Sequence, residues 1–216
     1  REDGIECDQG FFLTHGWDKK TPSRALDNLG TDFLFPEIKY KFHACCHGLH
    51  SFLEALEELK QENNFNPESI EEIAIETNPS WLKVCNIQEP KTGLESKFSY
   101  KLTAAMSIYG KDTADLGTYN DDICFDDKMN NIRDKVKVIP NDQLSNTQSL
   151  ISIKDGSRDI KNKHDLSDKI DQNILETKIV NKSASLLSKN KSHEISKMLN
   201  APSESKVSSL VDCLVS

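Results

Sequence analysis

The first strong periodicity follows Cys46. Leu49, Phe52, Leu53, Leu56 and Leu59 fall at i, i+3, i+4, i+7 and i+10, with Glu54, Glu57, Glu58 and Lys60 on the opposite side. That spacing predicts an amphipathic helix of about four turns, ending near Asn63-Asn64 before Pro67. Ile73 and Ile75 then alternate with Ala74 and Glu76, and Thr77 continues the pattern to Asn78-Pro79, which predicts a strand. A loop with Pro90 and Gly93 leads to Glu95, and from there Phe98, Leu102, Ala105, Met106 and Tyr109 mark a second buried helix, stopped by Gly110. A short helix is expected around Met129 and Ile132, then a strand over 135–138 closed by Pro140. Leu150–Ile153 reads as another strand, and Asp155-Gly156 as the turn to a partner starting near Arg158.

The order helix, strand, helix, helix, strand, strand, strand reads as α+β, a small domain of antiparallel strands with flanking helices. Three segments are expected. Residues 1–38 are irregular, with turn signals at Gly4, Gly10, Gly16 and Gly30 and a possible short helix over Arg24–Leu29. Residues 39–160 form the α+β domain, and residues 161–216 a tail. In the tail Ile170, Ile174, Leu175 and Ile179 suit a helix, as do Ile195 with Leu199 and Val207 with Leu210, Val211 and Leu214. These stripes are thin and rich in Ser, Lys and Asn, so helices without their own core compete with low-complexity disorder.

Composition sharpens that division. Hydrophobic residues make up 36% of 216 residues, and all fifteen aromatics lie at or before Phe125. From Asn141 onward there are 11 basic and 10 acidic residues; the whole chain has 27 and 35, so residues 1–140 carry 16 against 25. An acidic balance argues against bulk binding of nucleic acid, which needs clustered cations facing phosphates. No apolar run approaches the roughly 18 residues of a membrane span. Six cysteines are too sparse for a disulfide framework, and reduced thiols in a cytosol-like compartment fit better. Arg1 in place of an initiating Met fits a processed product or a fragment.

The densest reactive stretch is Lys39–His50, with Lys39, Lys41, His43, Cys45, Cys46, His47 and His50. His43 and His47 are four apart, and so are Cys46 and His50, so zinc has to be weighed. Structural zinc sites bring two ligand pairs from separated segments, and the other cysteines show no Cys-x-x-Cys. A non-metal reading fits better: imidazoles at a helix start are acid/base candidates, and helix N-terminal amides with adjacent lysines attract a carboxylate. The plain alternative is that His43 and Cys45 are packing residues and the lysines are solvated. A second stretch, Pro90–Tyr100, puts a Gly-containing loop before a helix but lacks the Gly-Lys-Ser/Thr ending of a phosphate-binding loop. Glu95 there reads as a capping residue.

Taken together and in order, the two stretches resemble the MmgE/PrpD family, which includes 2-methylcitrate dehydratase and cis-aconitate decarboxylase. Lys41-x-x-x-Cys45-Cys46-x-x-x-His50 is similar to its Lys-Pro-Tyr-Pro-Cys-Cys-x-x-x-His stretch, and Glu95-Ser96-Lys97-Phe98-Ser99 to its Glu-Ala-Lys-Phe-Ser signature. The similarity is good over about residues 30–160 and weaker in the tail. It implies the C-terminal half of a longer enzyme: a lid-type α+β domain whose closing helices pack on an all-helical N-terminal domain, with the active site between the two.

The resemblance further implies a metal-free, cofactor-free lyase acting on small di- and tricarboxylates, a cytoplasmic or mitochondrial-matrix location, propionate catabolism and a homodimer. Lys41 matches a lysine that faces the substrate carboxylate, Cys46 takes the place of a second lid histidine, and His50 matches a family histidine. The expected site is therefore His50 and His47 as acid/base groups, with Lys41, Cys46 and Lys97 binding substrate. Trp81-Leu82-Lys83-Val84 stands where decarboxylases of the family carry a tyrosine, which favours dehydration over decarboxylation. The competing expectation is a truncated module that binds carboxylates or a protein without turnover.

Overall fold

The computed structural model describes residues 27–33, 38–201 and 206–215. The chain divides into two compact units, Arg1–Lys39 and Tyr40–Ser216. Most of the first unit, including Arg24–Leu26 of the expected short helix, lies outside the described residues; Asn28–Thr31 is a hydrogen-bonded turn. In the second unit a 3-10 turn, His47–Leu49, runs into helix α1, His50–Glu62. Strand β1 (Ile70–Thr77) follows, then the short helices α2 (Pro79–Leu82) and α3 (Gly93–Ser96) and the longer α4 (Tyr100–Ile108). After α5 (Asp121–Phe125) and α6 (Asp127–Asp134) come β2 (Val136–Pro140), β3 (Gln148–Asp155) and β4 (Arg158–Asp165). Three helices close the chain: α7 (Gln172–Leu187), α8 (Lys189–Asn200) and α9 (Val207–Val215).

The fold is α+β. One sheet in the order β2-β1-β3-β4 carries helices against a single face. Ile73, Ile75 and Thr77 of β1 alternate inward with Ser149, Ile151 and Ile153 of β3, and the register pairs Ile73 with Ile153 and Ile75 with Ile151. The five leucine and phenylalanine positions that define the stripe of α1 are all buried against this layer. Tyr100, Leu102 and Met106 of α4 complete the core with Met129 and Ile132 of α6. The opposite face is polar, and there Glu72 takes ion pairs from Lys137 of β2 and Lys154 of β3.

Two features depart from the sequence reading. β1 and β2 pair in parallel, because the helical connection between them returns the chain to the same end of the sheet, whereas β3 pairs antiparallel with both its neighbours. The helix expected to run unbroken from Glu95 is two helices. Ser99 sits between them with extended backbone, its hydroxyl accepting from Leu102 N–H, and Phe98 C=O is drawn off to accept from Ile87 N–H. A residue that caps one helix in the extended conformation cannot also continue the preceding one.

The tail is helical, yet α7 buries none of its residues, and the large apolar groups Ile174, Leu186, Leu199 and Val211 stand exposed. Ser188, with φ of +122°, turns α7 into α8 and caps it. No helix among the described residues is long and apolar enough to cross a membrane.

Candidate active site

Three histidines converge where the chain enters α1. The His43 and His50 rings meet edge to face with centroids 5.1 Å apart, and the His47 ring lies 5.2 Å from His50, tilted by 34°. The backbone conformation brings them together: a 3-10 turn followed directly by an α-helix places positions 47 and 50 on one side, one turn apart. This turn is wedged tightly. A Cβ on Gly48 would come 2.5 Å from the Trp81 ring and 2.8 Å from Cys85 Sγ, so only glycine fits. Gly48 C=O accepts from the buried Tyr100 hydroxyl at 2.7 Å, which ties the turn to α4, and Tyr100 also contacts Thr77 Oγ1 at 3.2 Å on the sheet.

His50 is 1% exposed, and its Nε2 is fully enclosed without a hydrogen-bond partner. A buried polar atom left unpaired costs on the order of 1–3 kcal/mol, and in native proteins such atoms concentrate where a ligand or a reaction uses them. Burial lowers the pKa of His50 to about 3, helped by the neighbouring His43 and His47 rings and the charge of Lys41. His47 is half-buried, and burial together with Lys41 lowers it as well. Both rings are therefore neutral at pH 7, the form that can accept a proton. No side chain caps the 3-10 turn or the start of α1; Leu49 N–H donates to Cys46 C=O at 3.0 Å and His50 N–H to His47 C=O within the turn. The N-terminal end of α1 beside the exposed Lys41 ammonium makes a setting that favours an anion.

His43 is different: both its nitrogens are occupied. Nδ1 lies 2.7 Å from Thr113 Oγ1 and Nε2 lies 3.1 Å from Glu54 Oε1. Glu54 was expected on the solvent face of α1, but it is buried there, receiving Lys178 of α7 as well as His43. Burial alone would raise its carboxyl, but hydrogen bonds from His43 and Lys178 outweigh that and bring it down to about 2. These four residues border a cavity of about 390 Å³ that is also lined by Phe42 and Lys182.

The sequence-derived residues fall into two groups. Lys41, His47 and His50 share one electrostatic neighbourhood, as the influence of Lys41 on both rings shows. Cys46 stands at the mouth of the 3-10 turn, half-buried, its N–H donating to Lys97 C=O at 2.9 Å. Lys97 thus meets the turn through its backbone, while its ammonium lies 5.8 Å from the centre of the Tyr119 ring. Glu95 accepts from Lys91 N–H at 2.6 Å and closes the start of α3, the structural part expected of it. Cys45 is buried, which pushes its thiol up to about 12, the signature of a packing residue rather than a nucleophile.

The zinc-like spacings do not gather into one donor set. Among the described residues the converging donor atoms are those of His43, Glu54 and Glu57, and the Lys178 ammonium already pairs with Glu54 and lies 3.9 Å from Glu57. Sequence reasoning missed Glu54, Thr113, Lys178 and Trp81 as neighbours of the histidines. Only Trp81 carried a signal, as the bulky residue in the stretch where family decarboxylases carry a tyrosine; its indole N–H donates to Asn146 C=O at 2.8 Å and its ring lies 6.4 Å from His47.

No curated protein matches the chain. Among families, that of the MmgE/PrpD C-terminal domain matches residues 43–201, a span that begins two residues after Lys41 and takes in α7 and α8 of the tail, further than the sequence similarity alone was read to extend. The chain therefore belongs to the MmgE/PrpD family, of which it carries the C-terminal domain.

Proposed function

We propose that this chain supplies the carboxylate-gripping side of a metal-independent hydro-lyase acting on a 2-methylcitrate-like di- or tricarboxylate. The observation that carries the reading is the enclosed, unpaired Nε2 of His50 between two other imidazoles and within the field of Lys41. Dehydration of a hydroxy acid requires a base for the proton next to a carboxylate, an acid for the departing hydroxyl, and cations or N–H donors that hold the carboxylates and the charge developing on them.

Lys41 anchors a substrate carboxylate at the N-terminal end of α1. His50 and His47 exchange the protons. An imidazole held near 3 is a weak base in the empty site. A bound polyanion offsets the charge of Lys41 and raises both rings toward neutral pH, so proton transfer becomes favourable only with substrate in place. Cys46 borders the bound substrate, and Lys97 acts by holding Cys46 in position. The helical domain of the family closes the other wall, and the working assembly is a homodimer.

The test is dehydration of 2-methylcitrate, followed by the appearance of the unsaturated tricarboxylate, with this chain joined to a family helical domain. Turnover that falls at least a hundredfold in Lys41→Ala and His50→Gln is the expected result. Full activity in both variants would remove these residues from the mechanism.

A further inference from the structure

His43 has no nitrogen left to move a proton. Glu54 is ionised at neutral pH and therefore only accepts, so the nitrogen facing it, Nε2, carries the hydrogen. In the neutral ring Nδ1 is then the lone-pair nitrogen and receives the Thr113 O–H at 2.7 Å. One tautomer satisfies both contacts. What His43 offers the site is its ring, set edge to face against His50 at 5.1 Å. The orientation of His50 thus depends on what fixes His43.

The fixing groups come from three elements: Glu54 from α1, Thr113 from the loop after α4, and Lys178 from α7. Lys178 reaches in from α7. Its ammonium pairs with Glu54, lies 3.9 Å from Glu57, and stands 5.2 Å from the centre of the Phe42 ring. One and two turns further along the same face of α7, Lys182 Nζ and Ser185 Oγ donate to Ala114 C=O at 2.6 and 3.2 Å. Residues 178, 182 and 185 follow the i, i+4, i+7 spacing of a single helix face. That face therefore grips both ends of the clamp on His43: the carboxylate at one end and the loop that presents Thr113 at the other.

We propose that Lys178 is a positioning residue, which acts through Glu54 and His43 to fix the ring of His50. What His50 does with a proton rests on the lyase reading; the clamp itself does not, and its test needs neither substrate nor turnover. The arrangement makes α7 part of the site rather than a helix that merely lies beside it.

The experiment is ¹⁵N-edited NMR of the histidine side chains in the full chain at neutral pH, for the wild type, Lys178→Met, Lys178→Arg and Thr113→Val. The wild type should show His43 as a single tautomer with hydrogen on Nε2. Lys178→Met should give a mixture of tautomers at His43 and move the His50 ring signals, and Lys178→Arg should restore both. Thr113→Val, which leaves every α7 contact of Lys178 in place, should disturb the His43 tautomer while amide protection in α7 stays unchanged. Unaltered His43 and His50 signals in Lys178→Met would overturn the proposal. So would an arginine variant as disturbed as the methionine one, since α7 would then act by shape alone. A lyase assay that fails leaves these outcomes standing, and a clamp that fails leaves the lyase reading standing.

Discussion

The body of the domain, from His43 to Asp165, and the tail helices α7–α9 are held by different forces. The body buries Phe52, Leu53, Leu56, Ile73, Ile75, Tyr100 and Ile151 completely in one core. In the tail, α7 buries no residue, and its described grip on the body is a row of polar contacts from Lys178, Lys182 and Ser185. Apolar burial is non-directional and scales with area, so it stabilises a fold without specifying where each atom lies. Charge-assisted hydrogen bonds contribute less but fix geometry. The core holds the domain together, and the contacts of α7 converge on the groups that hold His43.

Core truncation should break the body outright. Phe52→Ala removes a fully buried ring and is expected to cost about 3–5 kcal/mol in chemical denaturation. Acid should act next, on the order of a few kcal/mol. His50 binds its proton at about 3 in the folded chain and near the ordinary 6.5 when unfolded, so below 6.5 the unfolded state holds more protons and stability falls with pH. Glu54, brought from 4.5 to about 2, contributes in the same direction below 4.5. Denaturation midpoints should therefore decline from pH 6.5 downward and more steeply below 4.5. His50→Gln should shrink the decline between pH 6.5 and about 3, leaving the parts that His47 and Glu54 contribute.

Gly48→Ala comes third. Its Cβ would press on the Trp81 ring and Cys85 Sγ, an overpacking expected to cost about 1–3 kcal/mol, and it would displace His47 beside it. Lys182→Met should cost about 1 kcal/mol globally and show instead as lost amide protection confined to α7. Smallest of all, Ile174→Ala, at a residue 53% exposed, should stay within about 0.5 kcal/mol. A loss from Ile174→Ala comparable to that from Phe52→Ala would erase the contrast between the two regions.

The elements of the body were legible because their patterns are strong. The stripe Leu49–Leu59 became α1, the alternation at Ile73 and Ile75 became β1, and Asp155-Gly156 became the turn between β3 and β4, with Gly156 at φ +60°. The parallel pairing of β1 with β2 was not legible, since strand patterns carry no direction. The His47–His50 pair could be placed because they stand three positions apart along a helical start. Glu54, Thr113 and Lys178 could not be, as they come from three segments up to 124 residues apart and meet only in the folded chain. Glu54 reads as polar on a helix that has polar residues to spare, and nothing local marks it as buried. In the tail the periodicity announced helices whose apolar stripes were expected to meet an all-helical domain; toward the body, α7 makes its described contacts through its polar face.

The central claim is that Lys41 and the imidazoles at the start of α1 form one carboxylate-binding, proton-exchanging unit. Titrating citrate into the full chain while following the His47 and His50 ring signals tests it most directly. Saturable shifts of both rings toward the protonated form at neutral pH are expected, with at least a tenfold weaker response in Lys41→Ala. Rings that ignore citrate, or respond equally without Lys41, would contradict it.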